Sequence, residues 1–252
     1  MIEPYYDEDG ITIYNADCRE VLPQLAPVDL VLTDPPFFMP ATHYQSRVKW
    51  QRSWGDTSIL KTFWSVVCDA IVPKIRPTGH FLAFCNHESY PVFYPEMYGR
   101  FDFLKSLVWD KENVGLGRVW RNQHELVIAA RWETSEFQED GKLRSDVMRY
   151  RVTLSAQREH PVEKPTSLLV SLIQPTTPKS GIVLDPFAGS GTTLLAARML
   201  GIRSIGIEIE ERYCASIAKR LQQQAFSFEA PASCDTTDKG IPSYQESLLL
   251  EA

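Results

Sequence analysis

The sequence predicts an α/β protein built on a mostly parallel, doubly wound sheet of seven strands with one antiparallel edge strand. Three observations carry that expectation. Short apolar runs alternate with segments of helical period along most of the 252 residues. Two of those runs end in an acid followed directly by turn-forming residues, at Asp34 and at Asp185. Two others, "FDFLKSLVWD" and "HELVIAAR", follow one another with no helical period between them, as antiparallel neighbours do.

The elements follow in order. "ITIY" at 11–14 reads as a strand, a helix follows near 18–25, and Val28, Leu30, Val31 and Leu32 form a buried strand over 28–33. Pro35 and Pro36 stop that strand because neither offers an N–H to a ladder. Residues 37–57 carry little periodicity, and a loop of that length is usually functional. Ile59, Leu60, Phe63, Val66, Val67, Ala70 and Ile71 recur at helical spacing before Pro73 and Pro77 close the segment. "GHFLAFC" is the next strand, and a short helix at 90–98 leads into the antiparallel pair. The polar run 132–158 reads as an inserted module. Helix 166–174, strand 181–185, helix 192–200, strand 204–208 and helix 211–224 complete the alternation. Residues 226–252 have no period and read as a flexible tail, leaving one domain over 1–225.

Net charge is −6, which argues against a protein that coats nucleic acid by charge alone but leaves room for a local basic groove. Two basic stretches stand out: Arg47, Lys49 and Arg52 around Trp50, and Lys142 to Arg158, which includes Arg149 and Arg151. Arg118 and Arg121 in "ENVGLGRVWRNQHE" add to them as candidate contacts to a nucleic-acid strand. Five scattered cysteines with no C-x-x-C pair read as free thiols, and the histidines show no metal-ligand spacing, so no metal is expected. The N-terminus has neither a basic flank nor an apolar core, and no run reaches the ~18 apolar residues of a membrane span, so a cytoplasmic protein without membrane contact is expected.

"VLDPFAGSGTTLLAARMLG" sets Gly189 and Gly191 between a strand ending at Asp185 and a helix beginning near Thr192. Such a turn lets a ligand approach the backbone closely, since no Cβ intervenes. A phosphate loop would need a Lys after the last glycine, where Thr192 stands, and the dinucleotide fingerprint a third glycine, where Leu194 stands. Glu208 ends the next strand, in the place of an acid that accepts from ribose hydroxyls. A nucleoside without a pyrophosphate fits this combination.

With these residues in view the chain resembles a known family. "TDPPF" (33–37), "HPVEKP" (160–165), "DPFAGSGTT" (185–193) and "GIEIEERY" (206–213) look like the landmarks of the S-adenosylmethionine-dependent DNA amino-methyltransferases. The acid-Pro-Pro-aromatic motif precedes the glycine turn, as in the β subgroup, whose sheet is a permuted Rossmann-like methyltransferase fold. The resemblance implies S-adenosyl-L-methionine as cofactor and double-stranded DNA as partner. It puts Asp17 at the adenine of the cofactor, Glu208 at its ribose, and Asp185, Phe187, Ala188, Gly189, Ser190, Gly191 and Thr192 around its methionine half. Lys164 would neutralise the methionine carboxylate.

The same resemblance makes Asp34, Pro35, Pro36 and Phe37 the catalytic motif. Asp34 and the Pro35 carbonyl would accept the two hydrogens of an exocyclic amine, and Phe37 would stack on the extruded base. Asp34 at the first position points to adenine N6 as the acceptor, with cytosine N4 the alternative. More remote readings are RNA as acceptor, a nicotinamide-dependent oxidoreductase and an inactive DNA-binding homologue. Loop 37–57 and segment 132–158 would read the target. So short a recognition module implies either a short target or help from a second subunit in a homodimer.

Overall fold

The computed structural model describes residues 2–36, 57–115, 119–138, 143–152 and 163–225. Its strands, in chain order, are β1 (Tyr6–Glu8), β2 (Ile11–Asn15), β3 (Val28–Thr33), β4 (Ile75–Cys85), β5 (Phe103–Asp110), β6 (His124–Arg131), β7 (Val147–Arg149), β8 (Ile182–Asp185) and β9 (Arg203–Glu208). The helices are α1 (Cys18–Val21), α2 (Thr57–Ile71), α3 (Tyr90–Tyr98), α4 (Thr166–Thr176), α5 (Thr192–Met199) and α6 (Glu211–Ala225). The strands form one sheet in the order β1-β2-β9-β8-β3-β4-β6-β5-β7.

The expected class is the observed one, an α/β fold on a mostly parallel sheet. All neighbours from β2 to β4 pair in parallel, and β6 runs antiparallel to both β4 and β5. Two details differ from the expectation. The sheet has nine strands among the described residues, because β1 hairpins onto β2 and β7 adds in parallel to β5. The reversed strand also sits inside the edge, between β4 and β5. Strands of three residues, such as β1 and β7, draw their stability from the neighbour's ladder, so no side-chain period announces them.

Alternating side chains separate two cores. Val31, Phe81, Ala83 and Ile128 face α2 and α3, where Trp64 stacks on Phe93 at 4.3 Å. Leu30, Leu32, Leu82, Phe84 and Val127 face the opposite way and pack with Leu168, Leu169, Leu172 and Ile173 of α4 and with Ala196 and Ala197 of α5. The α6 residues Cys214, Ile217 and Leu221 close a third cluster over Ile11 and Ile13. Both faces of the central strands are covered, which is why all six residues of β3 are buried.

Pro77 does not end the pairing of β4. The ladder begins at Val28↔Ile75 and resumes at Leu30↔His80, so residues 76–79 bulge out opposite Asp29. Asp29, 5 % exposed, accepts from Arg76 in that bulge at 2.7 Å and from the Ile182 N–H at 2.8 Å, tying three strands together at the edge remote from Asp34.

The chain leaves β3 toward β4 in one direction and β8 toward β9 in the other, so the order reverses between β8 and β3. In open α/β sheets the crevice beyond the carboxyl ends of strands at such a reversal is where ligands bind. Asp34, Asp185 and Glu208 all stand on that edge. Among the described residues no helix is long and apolar enough to cross a membrane, and no group of metal-ligating side chains occurs.

Candidate active site

The two motifs read separately from the sequence meet through one hydrogen bond. Thr33, the last residue of β3, donates its hydroxyl to Asp185 Oδ1 at the end of β8, at 2.9 Å, and both are buried. Phe187 N–H donates to the same oxygen at 3.1 Å and starts the turn. Burial pushes Asp185 up to about 6, against the hydrogen bonds from Thr193, Phe187 and Thr33.

The turn itself assigns different work to its glycines. Gly189 has φ +51° and Gly191 φ +75°. A Cβ on Gly191 would lie 2.6 Å from Ile217 Cγ2 of α6, so this glycine allows helix and turn to pack. A Cβ on Gly189 would meet nothing closer than 3.9 Å, so its face is open to a ligand. Both substitutions to Ala carry the cost of a left-handed residue, but Gly191→Ala alone adds overpacking. Gly191→Ala is expected to lose roughly 1–3 kcal/mol more stability than Gly189→Ala, measured by denaturant unfolding.

Glu208 holds the turn from β9. Its Oε2 accepts from Gly189 N–H at 2.9 Å and its Oε1 from Glu210 N–H at 2.8 Å. Burial raises its pKa above the usual carboxylate range, with those two bonds opposing the shift. Ser190 and Thr192 share a hydrogen bond at 2.9 Å, and Thr192 donates to Glu163 Oε1 at 3.2 Å. Arg220 of α6 pairs with that carboxylate at 2.7 Å. The side chains of Ala188 and Thr192 are buried, and the ring of Phe187 leans on Phe63 at 5.9 Å. Within 185–192 the backbone and Gly189 therefore face the crevice, whereas several side chains anchor the turn from behind.

Asp17 follows β2 on the same edge and caps α1, accepting from Arg19 N–H at 2.9 Å. The Arg19 guanidinium also grips it, with Nη2 2.5 Å from Oδ2, and that hydrogen bond holds the carboxyl below its usual value. Asn15 ties β2 to β9 by donating to Glu208 O at 3.0 Å and Ile209 O at 3.1 Å.

Asp34 is where the structure adds most. Lys164 Nζ donates to its Oδ2 at 2.5 Å. The other oxygen, Oδ1, is shut off from solvent and has no hydrogen-bond partner among the described residues, although the side chain as a whole is 27 % exposed. A buried acceptor without a donor is costly, so this oxygen is available to one. Burial raises the Asp34 pKa, Lys164 opposes that, and Glu125 adds to it. Lys164, 6 % exposed, also lies 3.2 Å from Glu125 Oε2, so its ammonium is committed to this pair of carboxylates and stands at Asp34. Burial works against its charge, but the two carboxylates outweigh it and raise its pKa. The resemblance put Lys164 at the methionine carboxylate of the cofactor; the anions it meets within the chain, Asp34 and Glu125, are a tertiary fact. Glu125 escaped the sequence reading because nothing local distinguishes it from any acid at a strand's start.

Of the remaining candidates, Pro35 is buried and Pro36 half-buried. Phe37, Arg47, Lys49, Trp50, Arg52 and Arg118 lie outside the described residues. Arg149 and Arg151 are largely exposed, 3.8 Å from Asp110 and 3.6 Å from Glu112 respectively. Arg121 is exposed, and beside it Trp120 is 93 % exposed. That tryptophan was not singled out from the sequence, although its place in "RVWR" was a signal. Since β7 runs parallel to β5, and β5 parallel to β4, Arg149 and Arg151 come off the same sheet edge as Asp34.

Comparison with known proteins finds likeness along most of the chain. The family model described as a DNA methylase of the N6/N4 type matches residues 118–220. The chain is 25 % identical over 256 residues to the type II methyltransferase M2.LlaDCHI of Lactococcus lactis subsp. cremoris, covering 89 % of this chain and 94 % of that protein. It is 25 % identical over 255 residues, with the same coverage, to the type II methyltransferase M2.DpnII of Streptococcus pneumoniae. Among solved structures, the complex of M1.HpyAVI with SAM superposes with TM-score 0.60 at 25 % identity, covering 83 % of this chain and 99 % of that one. The cytosine-N4-specific PvuII DNA methyltransferase gives TM-score 0.66 at 18 % identity, covering 86 % and 88 %, and shares the fold.

Proposed function

We propose that this chain, which belongs to the DNA amino-methyltransferases, transfers a methyl group from S-adenosyl-L-methionine to the N6 amino group of adenine in double-stranded DNA. The observation that carries the reading is Asp34 Oδ1, a buried acceptor with no donor among the described residues, at the reversal point of the sheet and one strand away from a glycine turn whose first glycine opens outward.

The residues present fit the cofactor. Gly189 leaves a face that a Cβ would fill, the Glu208 carboxylate keeps lone pairs for ribose hydroxyls beyond those used on Gly189 and Glu210, and the crevice between β8 and β3 lies beside the acceptor. When bound, S-adenosylmethionine supplies an electrophilic methyl group on a sulfonium. The chain's own work is on the amine. An adenine amino nitrogen is a poor nucleophile because its lone pair is delocalised into the ring. Asp34 Oδ1 accepts one N–H and the Pro35 carbonyl the other, drawing the nitrogen toward tetrahedral geometry and freeing its pair. The surplus N–H proton then leaves toward Asp34. No covalent enzyme intermediate is needed, and the acceleration comes from positioning and fixed dipoles.

The base must leave the duplex to reach Asp34, at a cost of on the order of a few kcal/mol, and an aromatic platform returns roughly 1–3 kcal/mol. Phe37 is the residue proposed for it. Trp120, Arg121, Arg149 and Arg151 are proposed to meet the DNA, being exposed and cationic or aromatic on segments that flank the edge carrying Asp34.

Cytosine N4 is the second reading, supported by the fold shared with a cytosine-N4-specific enzyme. Digesting methylated DNA to nucleosides and weighing the modified base separates the two. N6-methyladenosine is the expected product, and N4-methylcytidine would reverse the assignment.

A further inference from the structure

Asp34 is the last member of a largely buried chain of charges, its side chains between 6 % and 27 % exposed. Lys111, one residue past β5, donates from Nζ to Glu125 Oε1 at 2.5 Å. Glu125, the second residue of β6, faces Lys164 at 3.2 Å through its other oxygen, and Lys164 donates to Asp34 at 2.5 Å. The signs alternate along Lys111, Glu125, Lys164 and Asp34. The Phe84 ring lies 5.1 Å from the Lys164 ammonium. Drawing so many charges out of water is unfavourable, and apolar side chains of equal volume would commonly hold the same elements together at least as well, so stability does not account for the chain.

We infer that Glu125 and Lys111 are positioning residues which, acting through Lys164, set how strongly Asp34 accepts the target amino group. The inference rests on the reading of Asp34 as the acceptor. Paired with Asp34 alone, Lys164 would throw its whole charge onto that carboxylate and leave Oδ1 a weak acceptor. Glu125 shares the ammonium and keeps Oδ1 basic. Lys111 balances Glu125, so that it neither captures Lys164 nor repels Asp34 outright.

The described groups that face Asp34 electrostatically are Lys164 ahead of α4, Glu125 on β6, Lys111 after β5, Cys85 at the end of β4 and Asp185 at the end of β8. Lys164 and Lys111 favour its ionised form and Glu125 disfavours it. Removing Glu125's charge must therefore lower the pH at which Asp34 protonates, and removing either lysine's must raise it. Because the ionised carboxylate is the working form, the acidic limb of the rate profile moves with it.

The test compares wild type, Glu125→Gln, Lys164→Met and Lys111→Met on double-stranded DNA with saturating S-adenosylmethionine across pH. Carboxylate titration in the free protein is followed in parallel by ¹³C NMR, and cofactor affinity by calorimetry. Glu125→Gln is expected to shift the acidic limb down by about one unit and lower kcat about tenfold, with cofactor Kd unchanged. Lys164→Met and Lys111→Met are expected to shift it up. Shifts of one sign in all variants, or an unmoved profile, would overturn the inference; near-isosteric Glu125→Gln decides it alone should the lysine variants not fold. A wild type inactive on DNA would refute the functional reading instead, and the free-protein titration would still report whether the chain tunes Asp34.

Discussion

Asp34→Ala is expected to reduce methyl transfer by on the order of 10³-fold while leaving S-adenosylmethionine affinity within about threefold of wild type. The substitution removes a buried acceptor that lacks a donor among the described residues and that is proposed to free the amino lone pair. The cofactor edge is untouched, because the turn is held by Glu208, by the Thr33–Asp185 bond and by Arg220 on Glu163. Lys164 keeps Glu125 at 3.2 Å, so the variant is not left with an unpaired buried ammonium. Asp34→Asn makes the sharper comparison. With its amide oxygen toward Lys164, it turns an NH2 toward the incoming amine, where a donor meets a donor, and it too is expected to be inactive. Single-turnover kinetics beside calorimetric binding checks both, and near-normal rates in either variant would remove Asp34 from the chemistry.

Glu208→Ala should do the reverse, weakening cofactor binding roughly 10–100-fold, as expected for losing charged hydrogen bonds of about 1.5–3 kcal/mol. The carboxylate accepts Gly189 N–H and Glu210 N–H from its own chain, and in the proposed reading it would accept ribose hydroxyls of the cofactor as well. Its loss slackens the turn as well as removing the acceptor. Glu208→Gln should recover little. A glutamine offers one acceptor oxygen where the native residue uses two, and its NH2 would face a backbone N–H. With cofactor raised to saturation, both variants should regain much of their kcat, since the catalytic motif lies two strands away. Retention of wild-type affinity by Glu208→Ala would place the ribose elsewhere.

What could be read without coordinates follows from the range of each signal. Pro35 and Pro36 state in the sequence where β3 must stop, and Gly189 and Gly191 state where the backbone turns tightly, because both are constraints on a residue's own dihedral angles or donors. The short strands Tyr6–Glu8 and Val147–Arg149 were not legible, since their pairing is supplied by β2 and β5. Nor was the location of β6 inside the sheet edge: antiparallel pairing with β5 was legible, whereas pairing with β4 depends on chain returning from elsewhere.

The sequence by itself determined the α/β class, the turn chemistry and the two acidic motifs, because local sterics, hydrophobic period and missing N–H groups act over a few residues. The tertiary structure alone decided that Lys164 turns to Asp34, that Glu125 and Lys111 stand behind it, and that Gly189 opens outward while Gly191 packs. Those facts are set by through-space electrostatics and close packing between segments as much as 130 residues apart, on which local spacing carries no information.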